Sequence, residues 1–168
     1  MTPAARYAAA IDLLDMILDG AAAERCLTTW ARQNRFAGSK DRAAIRDHVY
    51  DVLRAKSSLS ARGGGVDGRA LVLGLLRRDG VAPETVFGAG GYGPTALTDA
   101  EMGAETTATG AAAADVPDWL WPQWQASLGD QAIDIARIQQ SRAPVGLRVN
   151  TRRITREDAQ TALLTEDI

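Results

Sequence analysis

A chain of 168 residues, 46% hydrophobic and 24% charged, is long enough for one ordinary domain, or for a small domain and part of another, and its composition excludes a disordered or fibrous protein. A single cysteine, Cys26, excludes an internal disulfide and fits a reducing cytosol; with His48 as the one histidine, no zinc site can be built from these ligands. A net charge of −2 excludes a uniformly basic nucleic-acid binder, so any grip on phosphate has to rest on local charge.

The first predicted element is a helix opening at Pro3, with Ala10, Ile11, Leu14, Ile17 and Leu18 at helical spacing and Gly20 as its stop. Asp12, Asp15 and Asp19 interrupt it every turn, so it is neither a signal peptide nor a membrane span, and a cytoplasmic location follows. A second helix over residues 21–34 has Ala23, Cys26, Leu27, Trp30 and Ala31 on one face, where Cys26 reads as a buried, inert thiol. A third is expected from an N-cap at Ser39 to the glycines at 63–65, with Ile45, Val49, Val52, Leu53 and Leu59 inward and His48 a packing residue. Asp67 caps a fourth, with Leu71, Val72, Leu75 and Leu76 inward. Residues 1–87 are therefore expected to form a compact helical bundle.

Residues 88–114 are dominated by Gly, Ala and Thr and read as a partly flexible linker with one short helical possibility near 97–105. Within it, residues 88–93 match G-x-G-x-x-G letter by letter. A dinucleotide loop needs a strand before it and a helix after it; residues 83–87 are a poor strand and Pro94 follows, so a loop is the better reading.

Residues 115–168 form a second unit. Pro117 leads a helix with Trp119, Leu120, Trp124 and Leu128, and Asp130 caps another with Ile133, Ala136 and Ile138. Residues 145–150 alternate like a half-buried strand, and Thr155 caps a last helix with Ala159, Ala162 and Leu163 on its apolar side. One strand and one trailing helix, ending at Ile168, cannot complete a sheet, which predicts that this unit is only the start of an α+β domain. The fold class is mainly α.

Charge is unevenly spread. Residues 32–62 hold eight basic and three acidic side chains, residues 99–134 seven acids and no base, and residues 142–156 five Arg and no acid. In the first basic stretch, Arg42, Arg46, Tyr50 and Arg54 recur every four residues, with Lys40 just ahead. Such a stripe suits phosphates and a stacked base, but the same spacing suits a solvated face on which Asp47 and Asp51 pair with the arginines. In the second, a strand burying Leu147 and Val149 exposes Arg148 and Asn150, and Arg152 and Arg153 follow, a compact set for phosphate and sugar contacts.

These two stretches also carry a resemblance. The segment Phe36 to Arg42, with Lys40-Asp41-Arg42, continuing to Val49-Tyr50-Asp51-Val52-Leu53-Arg54, resembles the K-D-R and V-Y-x-V-L-R segment of Sun (RsmB/Fmu) methyltransferases, which lies in a NusB-like helical domain. Pro117-Asp118-Trp119-Leu120, then Arg142-Ala143-Pro144 and Leu147-Arg148-Val149-Asn150-Thr151, resemble the family's next segment, the start of an RNA-recognition-like α+β subdomain.

The resemblance implies an enzyme that transfers a methyl group from S-adenosylmethionine to C5 of a cytosine in small-subunit (16S) ribosomal RNA. In that family a cysteine thiolate attacks the base, and cofactor site and catalytic cysteines sit in a Rossmann-like domain further along. Cys26 matches neither cysteine, so this stretch is expected to hold RNA, to bind no S-adenosylmethionine and to transfer no methyl group by itself. Its partners would be the RNA and the Rossmann-like domain, with no membrane. Two other readings stay open: a free-standing NusB-like antitermination factor, and a protein-interaction module using Trp119, Trp121 and Trp124.

Overall fold

The computed structural model describes residues 1–166; positions 167–168, including the expected chain end at Ile168, lie outside the described residues. Helix α1 (Pro3–Leu18) opens as Pro3 predicts, with the Thr2 hydroxyl accepting the Ala5 amide at 3.2 Å. Its Ala9, Ala10, Leu13 and Leu14 enter the core. Helix α2 (Ala23–Gln33) packs on α1 and buries Cys26. Helix α3 (Ser39–Arg54) buries Ile45, Val49 and Val52. Its N-cap is Gly38 rather than the expected Ser39, and the Asp41 carboxylate accepts the Gly38 amide at 3.1 Å.

The expected run from Ser39 to Gly63 is two helices. At Ala55 the backbone leaves helical geometry (φ −129°, ψ 31°), and α4 (Lys56–Gly63) sets off in a new direction. The turn brings Leu59 against α5 (Gly68–Arg78), where Leu59 has no exposed surface. Close approach makes this possible: a Cβ on Gly63 would sit 1.8 Å from the Ala70 carbonyl oxygen, and one on Gly74 2.1 Å from that of Leu59. The new N-terminus is held from afar, since Asp115 accepts the Ser58 amide at 2.8 Å and the Ser58 hydroxyl at 2.6 Å. Local periodicity is blind to such a partner.

Helix α5 is the centre of the bundle. Asp67 caps it as expected, accepting the Ala70 amide at 2.8 Å, and Asp15 of α1 takes the Gly68 amide at 2.7 Å. Leu71, Val72, Leu73, Leu75 and Leu76 are all buried, so a helix expected to show one apolar face is enclosed on nearly every side.

Residues 88–114 lie along this bundle and are hydrogen-bonded to it. They contain α6 (Asp99–Gly103) and α7 (Gly110–Ala114). Arg69 donates to Glu101 at 2.6 Å and to the carbonyls of Thr95 and Ala96 at 3.2 and 3.0 Å, with its guanidinium 4.8 Å from the Phe87 ring centroid. That ion pair and the Thr98 amide hold Glu101 down to about 2. Arg77 donates to the carbonyls of Arg62, Glu101 and Met102. Composition read this stretch as partly flexible because two arginines on α5, far away in sequence, supply its anchors.

The C-terminal unit holds α8 (Trp121–Leu128), α9 (Ala132–Gln139) and α10 (Arg156–Thr165). Two caps differ from expectation. Helix α8 starts after a turn over residues 118–120, so Pro122 rather than Pro117 lies in its first turn, and α9 follows a 3₁₀ turn (Gly129–Gln131) rather than an Asp130 cap. Thr155 does cap α10, accepting the Asp158 amide at 3.1 Å. Ala114, Val116 and Ala136 form a small core under Leu120, Trp121, Trp124 and Ile133.

The expected strand at 145–150 is absent. Those residues are irregular, and Val145 and Leu147 are 72% and 63% exposed. A strand is held by its ladder, and among the described residues there is none to pair with. The molecule is accordingly mainly α, as expected, and the β part of the expected α+β unit is not formed.

Candidate nucleic-acid interface

Helix α3 sets out the first group of expected contact residues. Lys40, Arg42 and Arg46 are exposed, and Tyr50 and Arg54 are half-buried. Arg46 pairs with Asp47 at 3.0 Å and Arg54 with Asp51 at 2.9 Å, the pairs that a solvated face would form. Tyr50 donates its hydroxyl to Glu24 of α2 at 2.6 Å; that bond and partial burial raise its pKa, and Arg54 sits 5.8 Å from its ring. Lys40 and Arg42 have no ion pair among the described residues. Between them, Asp41 is structural. It is buried, bonded to Arg6 at 2.9 Å and to the amine of Met1 at 3.3 Å. Burial pushes its carboxyl up, but the Gly38 amide, Arg6 and the amine outweigh this and leave it below the ordinary value.

Two cations of this face escaped the helical reading. Arg32 and Arg35, from the end of α2 and the loop after it, line a shallow depression with Arg42. They belong to a different element, so no periodicity links them to α3; the basic excess that begins at Arg32 is the one signal that does. At the other end of the stripe, Arg54 lines a cleft of about 220 Å³ with Ala114, Val116 and Gln140, so α3 runs from the basic depression to the C-terminal unit.

The second group lies on a turn. The Asn150 side-chain oxygen accepts the Arg152 amide at 3.2 Å, and its carbonyl accepts the Arg153 amide at 2.9 Å. Asn150, expected as a contact residue on a strand, shapes this bend with its side-chain oxygen. Arg148, Arg152 and Arg153 are exposed, and among the described residues none of them has an ion pair.

The other candidates do not assemble into a reactive centre. His48 stacks on Tyr7 at 4.0 Å, and burial lowers its pKa against the pull of Asp51 and Asp47. The segment 88–93 curls back on itself, the Gly88 amide donating to the Pro94 carbonyl, and it follows a 3₁₀ turn (Pro83–Thr85) instead of a strand. Its amides do not open onto a helix, so it does not fit a nucleotide cofactor. Among the described residues there is no metal-ligand cluster, and no helix is long and apolar enough to cross a membrane.

The turn at Asn150 lies in a stretch that resembles a known family. Residues 116–168 match the ferredoxin-like domain of RsmF/B-like methyltransferases. The matched segment takes in α8, α9, the arginine turn and α10, and is methyltransferase-related in sequence. It excludes the α1–α5 bundle, for which the NusB-like resemblance stands on its motifs alone. No curated protein and no solved structure matches the chain.

Proposed function

We propose that this chain is the RNA-positioning region of an S-adenosylmethionine-dependent methyltransferase that forms 5-methylcytosine in 16S ribosomal RNA. The carrying observation is the position of the arginine turn: three exposed cations with no carboxylate partner among the described residues lie inside the segment that matches a methyltransferase domain. Residues 1–87 are a NusB-like RNA-binding domain, 88–114 the connection and 115–168 the first part of the α+β unit. The protein works in the cytoplasm, and methyl transfer belongs to a Rossmann-like domain that is not part of these residues. A cytosine has to leave its stack before its C5 can be attacked, so flanking RNA must be held still. Lys40 and Arg42 on α3, with Arg148, Arg152 and Arg153 on the turn, would hold phosphates, while Arg46, Tyr50 and Arg54 exchange their present partners for RNA.

The test is salt dependence. Replacing Arg148 and Arg152 by Ala is expected to weaken binding of a small-subunit rRNA fragment and to flatten the plot of log affinity against log salt by about one unit per lost contact. An unchanged slope removes both residues from the interface.

A further inference from the structure

Three aromatic rings surround one groove that the phosphate-contact reading does not use. The groove, about 940 Å³, lies between α1, the α2–α3 loop and the glycine loop, and Trp30, Phe36 and Tyr92 line it. Phe36 is 75% exposed and Tyr92 90%. The glycine loop explains how Tyr92 comes to stand there. Gly88, Gly90 and Gly91 all have positive φ (81°, 80° and 61°), which a side chain would strain, and the turn they make is seated against α1, where a Cβ on Gly93 would come within 2.9 Å of the Ala4 side chain. The floor is largely alanine from α1 and offers little to read a base edge.

We propose that this groove takes unpaired RNA bases, stacked on Phe36, Tyr92 and Trp30, while the adjoining Arg32, Arg35 and Arg42 hold the phosphates. The proposal rests on the RNA-positioning reading and adds to it a single-stranded class of ligand and a second site. Charge supports the assignment on both sides of the groove. The basic depression shares the 30–36 stretch with it, since Asn34 and Phe36 line one and Arg35 the other. Asp12, the one acid among the described residues that line the groove, repels phosphate and favours an arrangement with bases inward and backbone on the arginine side. An apolar peptide would use the rings but leave the arginines without anionic partners. Stacking on exposed rings beside a cationic track is the general chemistry of single-strand binding and tolerates any base.

Binding of the whole chain to an oligouridylate of about ten nucleotides, and to an abasic oligomer of the same length, separates the contributions. Wild type is expected to prefer the oligouridylate by tenfold or more, since each stacked base contributes about a tenfold factor. F36A/Y92A is expected to lose that preference while keeping the salt slope, and R32A/R35A to lower the slope while keeping the preference. Both rings are exposed, so their removal leaves the core intact, which circular dichroism checks. Base preference surviving in F36A/Y92A, or binding of a folded small-subunit rRNA fragment but not of oligouridylate, overturns the groove and leaves the positioning reading standing. Binding of neither RNA overturns both.

Discussion

Single side chains divide here into those that hold the fold and those left free for a ligand. Asp41 shows how spacing misleads: it stands between two exposed cations, yet it is buried and bonded to Arg6. His48 carries a pH consequence near neutrality. Its pKa is lowered first by burial and then by Arg6, while Asp51, Asp47 and Asp79 oppose the shift. A base that is harder to protonate in the folded than in the unfolded state penalises folding in acid. Its contribution is therefore whole above the unfolded value of about 6.5 and is lost as pH falls from there toward the depressed one. Urea midpoints across this window should fall for wild type and fall less for His48→Gln. Parallel curves would assign the loss to other groups.

At the scale of elements, the break at Ala55 and the contact of α4 with α5 decide the bundle. Two backbones meet at Gly63 and Gly74 with no room for a methyl group. Gly74→Ala thus sets the gain in helix propensity, below about 1 kcal/mol, against overpacking onto backbone that cannot yield. Overpacking wins, with a net loss of about 1–3 kcal/mol expected in chemical denaturation. A variant as stable as wild type would mean that the two helices separate at little cost. The sequence made the elements legible where signals were local: Pro3, Asp67 and Thr155 open their helices and Gly20 follows the first one, as read. It was silent on the Ala55 break, because Ala55 is a good helix former and the reason for the turn lies in Gly74 and Asp115.

For the whole molecule, Asp115 is the joint. One carboxylate accepts from Ser58 at the start of α4 and from Gln140 at the end of α9, at 2.9 Å in the latter case, and so ties the C-terminal unit to the bundle. Asp115→Ala removes these bonds and leaves the Ser58 amide unpaired, for an expected cost of about 1–3 kcal/mol. Hydrogen exchange should quicken across α7–α9 and at the start of α4, with α1 and α5 unchanged; Asp115→Asn, which keeps an acceptor and tolerates the left-handed backbone (φ 52°), should fall between. Uniform loosening would show that the parts do not separate here.

The sequence by itself determined the helical class, the starts of α1, α5 and α10, the exclusion of an internal disulfide and the two basic stretches, because these depend on residue type and near-neighbour spacing. Tertiary structure alone decided that Arg42 is joined by Arg32 and Arg35, that residues 145–150 form no strand, and that the glycine loop raises Tyr92 over a groove. Each of these depends on a partner, or the lack of one, supplied by a distant element, and a one-dimensional pattern does not contain that information.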